Sequence, residues 1–332
     1  MDPERRRLLM LPAAAAVAPL LGGCGGDKPE VSIDDRLPVG PFGADATAEQ
    51  VTAGLDLSGR TALVTGCNSG LGYETMRVLA LRGAHVIGTG RTADKAREAC
   101  ASVTGRATPV VLELSDFDSV VACAGDIRAI SPRVDMLICN AGVMALPELE
   151  QVYGLEKQFV VNHLGHFILV NRLLDTVTAA PAGRVVVVSS GAHAWAGEEG
   201  IQFDNLSGEK GYDPFKNYGQ SKLANGLFSR ELARRIADTD ATSNSLHPGV
   251  IKTNLTRHMP ERANDDGSWA DKNIPQGAAT QCYVATAPAL AGVSGLYFKD
   301  CNPATPAPTM LDDAVAARLW SVSEELTRDY LA

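Results

Sequence analysis

A glycine-rich turn between a strand-like run and a helix-like run limits most strongly what this chain can fold into. Residues 61–65 are of strand type, and Gly66, Gly70 and Gly72 follow at G-x-x-x-G-x-G spacing. Apolar residues then recur near helical spacing as far as Gly83, which stands where a helix C-cap belongs. Strand, glycine turn and helix are typical of a dinucleotide site, because glycines let the backbone approach phosphate and a helix N-terminus attracts it. A merely structural turn is the alternative.

Length and charge narrow the class of protein. The chain has 332 residues, a formal net charge of −9 and 45% hydrophobic residues. That length suits one large α/β domain or two small ones, and the hydrophobic content is enough for a substantial core. An acidic balance without a basic stripe argues against binding to the phosphate backbone of nucleic acids. We therefore predict no nucleic-acid partner.

Cysteine and histidine spacing gives no sign of a metal centre. The seven cysteines contain no Cys-x-x-Cys pair. His163 and His166 lie three residues apart, but no carboxylate or cysteine stands at fitting spacing for a shared ion. We predict structural roles for both histidines and no metal site.

The first 24 residues resemble an export signal. Three arginines at positions 5–7 precede an apolar run over 8–21, which is too short to span a membrane and leads into a Leu-Gly-Gly-Cys box ending at Cys24. The box resembles a bacterial lipoprotein cleavage site, and the paired arginines resemble a twin-arginine signal. We predict a signal peptide over 1–24, export, and a lipid anchor on Cys24 that holds the protein at a membrane. A disordered leader on a cytoplasmic protein is the alternative.

Residues 25–56 are predicted to be a linker and an N-terminal arm, and from residue 57 strand-like and helix-like segments alternate. The alternation predicts one Rossmann-type α/β domain over 57–332, with a doubly wound parallel sheet of about seven strands and helices on both faces. The predicted strands are 61–65, 84–89, 108–112, 134–139, 184–189, 241–246 and 295–298. The predicted helices include 116–130 capped by Ser115, 154–177, 218–236 and 311–331. The polar segment 254–275 is predicted to be a mobile substrate lid, with a disordered insertion as the alternative.

Several motifs follow one another along this domain. They are Thr-Gly-x-x-x-Gly-x-Gly from Thr65, Asn-Ala-Gly from Asn140, Asn-His-Leu-Gly-His-Phe from Asn162, Ser-Ser from Ser189, Tyr-Gly-Gln-Ser-Lys from Tyr218 and His-Pro-Gly from His247. In this order they resemble the short-chain dehydrogenase/reductase family, over about residues 57–330. The motifs at Asn162 and Tyr218 resemble its branch of retinol dehydrogenases and WW-domain oxidoreductases.

The resemblance implies a nicotinamide dinucleotide cofactor. The residues implied to contact it are Gly66, Asn68, Ser69, Gly70, Leu71, Gly72, Glu113, Leu114, Asn140, Ala141, Gly142, Tyr218, Lys222, Pro248, Gly249, Ile251 and Thr253. Glu113 stands where the family usually has Asp. Arg91 follows the second strand, at a point where NAD-binding chains usually carry an acid, and its planar fork suits a 2′-phosphate. We therefore predict NADP rather than NAD; for Arg91 the alternative is a solvated loop charge.

The resemblance also implies a catalytic set of Asn162, Ser190, Tyr218 and Lys222. The carbonyl of Asn162 would hold a water in a proton relay, and the Ser190 hydroxyl would bond the substrate oxygen. Tyr218 would exchange a proton with that oxygen. Lys222 would bond the nicotinamide ribose and lower the pKa of the phenol, which is ordinarily about 10.

The pattern Tyr-x-x-x-Lys is weak by itself because this chain contains it three times. In the pair Tyr212 and Lys216, Pro214 intervenes, so the two side chains should not share a helix face. The pair Tyr153 and Lys157 precedes the serine strand, and Gly154 weakens any helix there. Tyr218 and Lys222 follow that strand and open an amphipathic helix, where positions four apart lie on one face. We therefore select Tyr218 and Lys222.

These implications describe an NADP-dependent oxidoreductase that acts on a small alcohol or carbonyl compound. The resemblance to retinol dehydrogenases implies a hydrophobic substrate and a dimer or tetramer. Two alternatives stay open: a catalytically idle NADP-binding sensor tethered to a membrane, and a reductase of carbon–carbon double bonds like the protochlorophyllide reductases. The complete set of four catalytic residues favours the enzyme over the sensor.

Overall fold

The computed structural model describes residues 39–259 and 270–331. The signal peptide predicted over 1–24, the start of the linker, and positions 260–269 of the predicted lid lie outside the described residues. Those predictions stay predictions. Within the described ranges, no helix combines the length and the apolar character that crossing a bilayer requires.

Strands and helices alternate along the described chain, as the sequence pattern predicts. The strands are β1 (Thr61–Val64), β2 (His85–Gly90), β3 (Arg106–Val111), β4 (Met136–Cys139), β5 (Gln151–Val152), β6 (Leu155–Glu156), β7 (Arg184–Val188), β8 (Thr242–His247), β9 (Tyr297–Lys299) and β10 (Asn302–Pro303). The α-helices are α1 (Ala48–Val51), α2 (Gly70–Leu81), α3 (Ala93–Ala101), α4 (Phe117–Ile130), α5 (Lys157–Phe159), α6 (Gly165–Thr178), α7 (Pro214–Arg235), α8 (Ile274–Thr286) and α9 (Asp313–Thr327). Two short 3₁₀ helices, Gly191–Ala196 and Asn254–His258, lie in the loops after β7 and β8.

One sheet organises the domain, with the strand order β10-β9-β8-β7-β4-β1-β2-β3. The pairs from β9 to β3 are parallel, and β10 adds one short antiparallel strand at the edge. The prediction of a doubly wound parallel sheet of about seven strands is therefore confirmed, with β10 as an addition. The order reverses between β1 and β4, so the loops that follow these two strands open a crevice at the carboxyl edge of the sheet.

Apolar side chains of the central strands pack into a core on each face of the sheet. In β7, Val185 and Val187 join one cluster with α4, α6, α7 and α9, whereas Val186 and Val188 join the other with α2 and α8. This alternation follows from the two-residue period of a strand. Burial on both faces explains why β7 reads as an uninterrupted run of valines.

The segment before α6 corrects one predicted helix. A hairpin of β5 and β6 occupies the start of the predicted helix 154–177, because Tyr153 and Gly154 have φ values of 54° and 72° that a right-handed helix does not allow. Helical structure begins only at Lys157, where the buried Glu156 carboxylate accepts hydrogen bonds from the backbone N–H groups of Gln158 and Phe159. A π-helical stretch, Val160–Leu164, then leads into α6.

Two helix starts also differ from their predictions. Asp116, not Ser115, caps α4, because its carboxylate accepts from the N–H groups of Asp118 and Ser119. Helix α7 begins at Pro214 rather than at Tyr218. Proline at a first helical position loses no hydrogen bond and has a suitable φ, so Pro214 begins this helix instead of interrupting one.

Candidate active site

A cleft of about 810 Å³ lies at the crevice between the β1 and β4 loops. All the residues predicted to contact the cofactor line this cleft, and so does Ser190. Tyr218 and Lys222 come from helix α7, and the others come from the segments that follow six strands far apart in the sequence. The parallel sheet brings these loops together because it places their strands' carboxyl ends along one edge.

The glycine turn at one end of the cleft has the form of a phosphate cradle. Gly66 and Gly70 have φ values of 74° and 59°, which favour glycine. A Cβ on Gly72 would collide with the Gly66 carbonyl oxygen, so the turn can adopt this conformation only with glycine at position 72. Ser69, the N-cap of α2, makes no side-chain bond to the first turn, and the N–H groups there can bind an anion. The residues present therefore fit a dinucleotide.

Two cations border the cleft beside β2 and α3. Arg91 and Lys95 both line it, both are exposed, and neither side chain has a hydrogen-bond or ion-pair partner among the described residues. The next cation on α3, Arg97, is instead paired with Asp94 at 2.8 Å. Sequence reasoning selected Arg91 but missed Lys95, whose position one turn into a helix gives no motif signal.

Tyr218 and Lys222 lie one turn apart on α7, at the centre of the cleft. Tyr218 is only 3% exposed, and the Lys222 ammonium lies 5.7 Å from the centroid of its ring. The same ammonium donates to the Val188 carbonyl oxygen at 3.0 Å. Because Val188 ends β7, this bond ties α7 to the strand that leads into Ser190.

Burial dominates the protonation of this pair. It raises the pKa of Tyr218, and the Ser190 hydroxyl opposes the rise only in part. The expected lowering of the phenol's pKa by Lys222 stays a prediction. Burial also lowers the pKa of Lys222 to about 8. Near neutral pH, Tyr218 is thus a protonated phenol that can donate its proton.

The other two Tyr-x-x-x-Lys pairs are built into different local structures. Tyr153 lies in the turn of the β5–β6 hairpin, where its hydroxyl accepts from the Phe117 N–H. Tyr212 precedes α7 and donates to the Leu146 carbonyl oxygen at 2.6 Å. Neither phenol lines the cleft, although Lys157 reaches its edge in an ion pair with Glu150.

Asn162 lies behind the cleft rather than on its wall. It is fully buried, and its side-chain amide bonds both backbone groups of Val143 and the Ser221 hydroxyl. Its main-chain carbonyl oxygen accepts from His166 Nδ1 at 3.1 Å. His166 Nε2 in turn contacts the Thr65 hydroxyl at 2.9 Å, so the glycine turn and Asn162 share one buried network. The predicted catalytic role of Asn162 stays a prediction.

Beyond Tyr218 the cleft contains a cluster of apolar side chains, which sequence reasoning did not resolve into residues. Polar residues of the segment Asn254–His258 also line this part of the cleft. Met144, Ala192 and Tyr218 form a small cluster with Phe215, Leu255 and Met259. Trp195 also lines the cleft, is 47% exposed, and has its ring centroid 5.9 Å from that of Phe215. Four separate loops or helices supply these side chains, so no local sequence pattern predicts that they lie together.

The fold and the cleft define a nucleotide-binding α/β protein, and comparison with known proteins gives its family. The family model described as "short chain dehydrogenase" matches residues 60–264. The chain is 42% identical to the short-chain dehydrogenase TIC 32 B, chloroplastic, of Brassica napus, over 86% of this chain and 94% of that one. It is 38% identical to human retinol dehydrogenase 14, over 94% and 96%. Human WW domain-containing oxidoreductase is 36% identical, over 87% and 73%.

The chain therefore belongs to the short-chain dehydrogenase/reductase family, and it resembles the branch of retinol dehydrogenases and WW-domain oxidoreductases. Among solved structures, an uncharacterised Mycobacterium paratuberculosis protein matches with a TM-score of 0.68 and 35% identity, over 84% of this chain and 97% of that one. The Pseudomonas aeruginosa RhlG/NADP active-site complex matches with a TM-score of 0.58 and 26% identity, over 73% and 95%. The protein is thus an NAD(P)-dependent oxidoreductase of this family.

Proposed function

We propose that this protein is an NADPH-dependent reductase of apolar aldehydes or ketones. The observation that carries the proposal is the buried phenol of Tyr218, which lies in one cleft with a phosphate cradle and a chamber of apolar side chains. The bound dinucleotide supplies the hydride. Tyr218 donates its proton to the carbonyl oxygen. The Ser190 hydroxyl accepts from the Ala192 N–H at 3.1 Å and bonds the Tyr218 phenol, so it lies beside the place where that oxygen would bind. Lys222 binds the nicotinamide ribose.

The proposed direction of the reaction is reduction. Burial raises the pKa of the Tyr218 phenol and so favours the protonated form, from which carbonyl reduction starts. Alcohol oxidation passes through the same transition state with Tyr218 as the base, so the supply of reduced nucleotide, and not this pKa, sets the net direction.

The substrate class follows from the chamber lined by Met144, Trp195, Leu255 and Met259. Apolar walls favour substrates that lose apolar surface to them, by about 25 cal/mol for each Å² removed from water. We expect retinal and decanal to be reduced with NADPH at higher kcat/KM than the polar glyceraldehyde. Faster reduction of glyceraldehyde, or no reduction of any of the three, would contradict the proposal.

NADP is the proposed cofactor because Arg91 and Lys95 border the cleft beside β2 and have no hydrogen-bond or ion-pair partner within the described part of the chain. A 2′-phosphate placed there would gain charge-assisted hydrogen bonds, which contribute about 1.5–3 kcal/mol each. We expect Arg91→Ala and Lys95→Ala each to weaken NADPH binding by about 10-fold to 10²-fold and to leave NADH binding nearly unchanged. The measurement is a titration of each nucleotide followed by its fluorescence.

The matched control for this prediction is Arg97→Ala. Arg97 is exposed on α3, the helix that carries Lys95, but it pairs with Asp94. Removing it should therefore leave the preference for NADPH over NADH unchanged. If the double variant Arg91→Ala/Lys95→Ala keeps the NADPH preference of the unaltered protein, the assignment of the 2′-phosphate site is wrong.

For the N-terminal segment, the proposal is processing and lipidation at Cys24. The support is the sequence box itself, Leu21-Gly22-Gly23-Cys24 behind the paired arginines. Mass spectrometry of the protein purified from a bacterial host should find a mature chain that begins at Cys24 and carries acyl chains. A full-length chain with an unmodified N-terminus would contradict the proposed lipidation at Cys24.

A further inference from the structure

The peptide bond between Ser190 and Gly191 projects beyond the end of the sheet. Strand β7 ends at Val188, and the 3₁₀ helix begins at Gly191. Neither the carbonyl oxygen of Ser190 nor the N–H of Gly191 has a strand partner; the carbonyl oxygen accepts from the His193 backbone N–H at 3.1 Å in the 3₁₀ helix. Both groups belong to one rigid planar unit that includes the Cα of Ser190, the atom that carries its side chain.

Two histidine side chains bond this unit from opposite ends. His193 Nδ1 lies 2.6 Å from the Ser190 carbonyl oxygen, and the N–H of Gly191 donates to His247 Nδ1 at 2.9 Å. The Ala307 N–H donates to His193 Nε2 at 2.9 Å, which anchors that ring to the C-terminal part of the chain. His247 ends β8 and lines the cleft, so the second ring is held by the neighbouring strand.

The contacts determine the tautomer of each ring. A carbonyl oxygen only accepts, so His193 carries its hydrogen on Nδ1, and its Nε2 is the acceptor for Ala307. His247 must have a bare Nδ1 to accept from Gly191. Burial lowers the pKa of both rings, that of His247 to about 4, so both are neutral near neutral pH. The two imidazoles are thus opposite tautomers that fit the two ends of one peptide unit.

We propose that His193 and His247 form a peptide clamp that positions the Ser190 hydroxyl toward the reacting carbonyl. Both are positioning residues in this proposal, because it assigns them an effect on the substrate through Ser190. His193 lies outside the cleft lining, so its variants test that effect without a change in the wall of the cleft. The inference rests on the proposed function, in which Ser190 bonds the substrate oxygen. A catalytic group displaced by about 1 Å can cost about 10²-fold in rate, which is the scale of effect expected from releasing the clamp.

Paired substitutions at each histidine test the clamp. In His193→Asn the amide nitrogen can take the place of Nδ1 as donor, and in His247→Asn the amide oxygen can take the place of Nδ1 as acceptor. We expect His193→Leu and His247→Leu to lower kcat by about 10-fold to 10²-fold, and each Asn variant to recover most of the loss. The assay uses NADPH with retinal or decanal, whichever the unaltered enzyme reduces faster. NADPH affinity of His193→Leu should be unchanged, since His193 lies outside the cleft lining.

A double-mutant cycle separates positioning from stability. In a Ser190→Ala background, His193→Leu should lower kcat no further, because the group it positions is gone. His163→Leu is the stability control: His163 is equally buried but bonds Ser323 on α9, so it should lower the melting temperature without lowering kcat of the folded enzyme. Losses that multiply in the double variant would overturn the clamp.

Two outcomes distinguish failure of the clamp from failure of the proposed function. If Ser190→Ala itself leaves kcat unchanged, the role of Ser190 is wrong and the clamp has nothing to position. If Ser190→Ala is costly but both Leu variants are harmless, only the clamp is wrong. Ring-nitrogen chemical shifts of the full chain give a readout independent of activity. They should show the Nδ1–H tautomer at His193 and the Nε2–H tautomer at His247, and the reverse pattern would also overturn the inference.

Discussion

Replacing Tyr218 by phenylalanine is expected to lower kcat for carbonyl reduction by about 10²-fold to 10⁴-fold, the usual contribution of a positioned acid or base. The substitution removes one oxygen from a ring that stays buried, so stability and NADPH binding should change little. The rate falls because water, which has little access to a phenol that is 3% exposed, replaces the lost proton donor poorly. Steady-state kinetics with NADPH and the best apolar aldehyde measure the effect.

Tyr153→Phe is the matched control, since it makes the same chemical change in a second Tyr-x-x-x-Lys pair. Tyr153 lies outside the cleft lining, and its hydroxyl accepts from the Phe117 N–H, so turnover should be unaffected. Unchanged kcat in Tyr218→Phe would remove the acid–base role of Tyr218. Absence of turnover in the unaltered protein would instead favour the catalytically idle sensor.

Replacing Gly72 by alanine is expected to abolish measurable NADPH binding at concentrations that saturate the unaltered protein. A Cβ at this position meets backbone, the Gly66 carbonyl group, and also the Asn140 side-chain amide. Backbone cannot move aside as a flexible side chain can, so the glycine turn must open and lose its phosphate geometry. Overpacking of this kind typically costs about 1–3 kcal/mol of folding free energy as well. Nucleotide titration and urea unfolding measure the two effects.

Gly125→Ala is the control for the second prediction. Gly125 lies within α4, and a Cβ there has nothing within 4 Å to meet. Replacing a helical glycine by alanine usually stabilises by about 0.5–1 kcal/mol, so this variant should unfold at slightly higher urea and bind NADPH normally. NADPH affinity that survives in Gly72→Ala would show that the glycine turn is a structural feature and does not cradle the phosphates.

The amino-acid sequence was informative wherever the signal is local. Strand runs, the glycine turn and the i, i+4 relation of Tyr218 and Lys222 depend on residues close together in the chain, and each has a recognisable spacing. The order of these motifs was sufficient to predict the family and the parallel sheet, both of which are confirmed. The helix predicted over 154–177 was wrong at its start because apolar content does not report the positive φ of Tyr153.

Three-dimensional folding decided the features that join distant parts of the chain. Gly191 and His247 are 56 residues apart, and His193 and Ala307 are 114 apart, yet each pair is hydrogen-bonded. The sequence therefore determined the fold class and the motifs that line the cleft, namely the glycine turn, the Asn-Ala-Gly turn, and Tyr218 with Lys222. Only the tertiary structure decided three features: the burial that raises the pKa of Tyr218, the position of Lys95 next to Arg91 at the cleft, and the contacts of two histidine rings with the Ser190–Gly191 peptide. Burial and contact depend on which strand ends meet at the edge of the sheet.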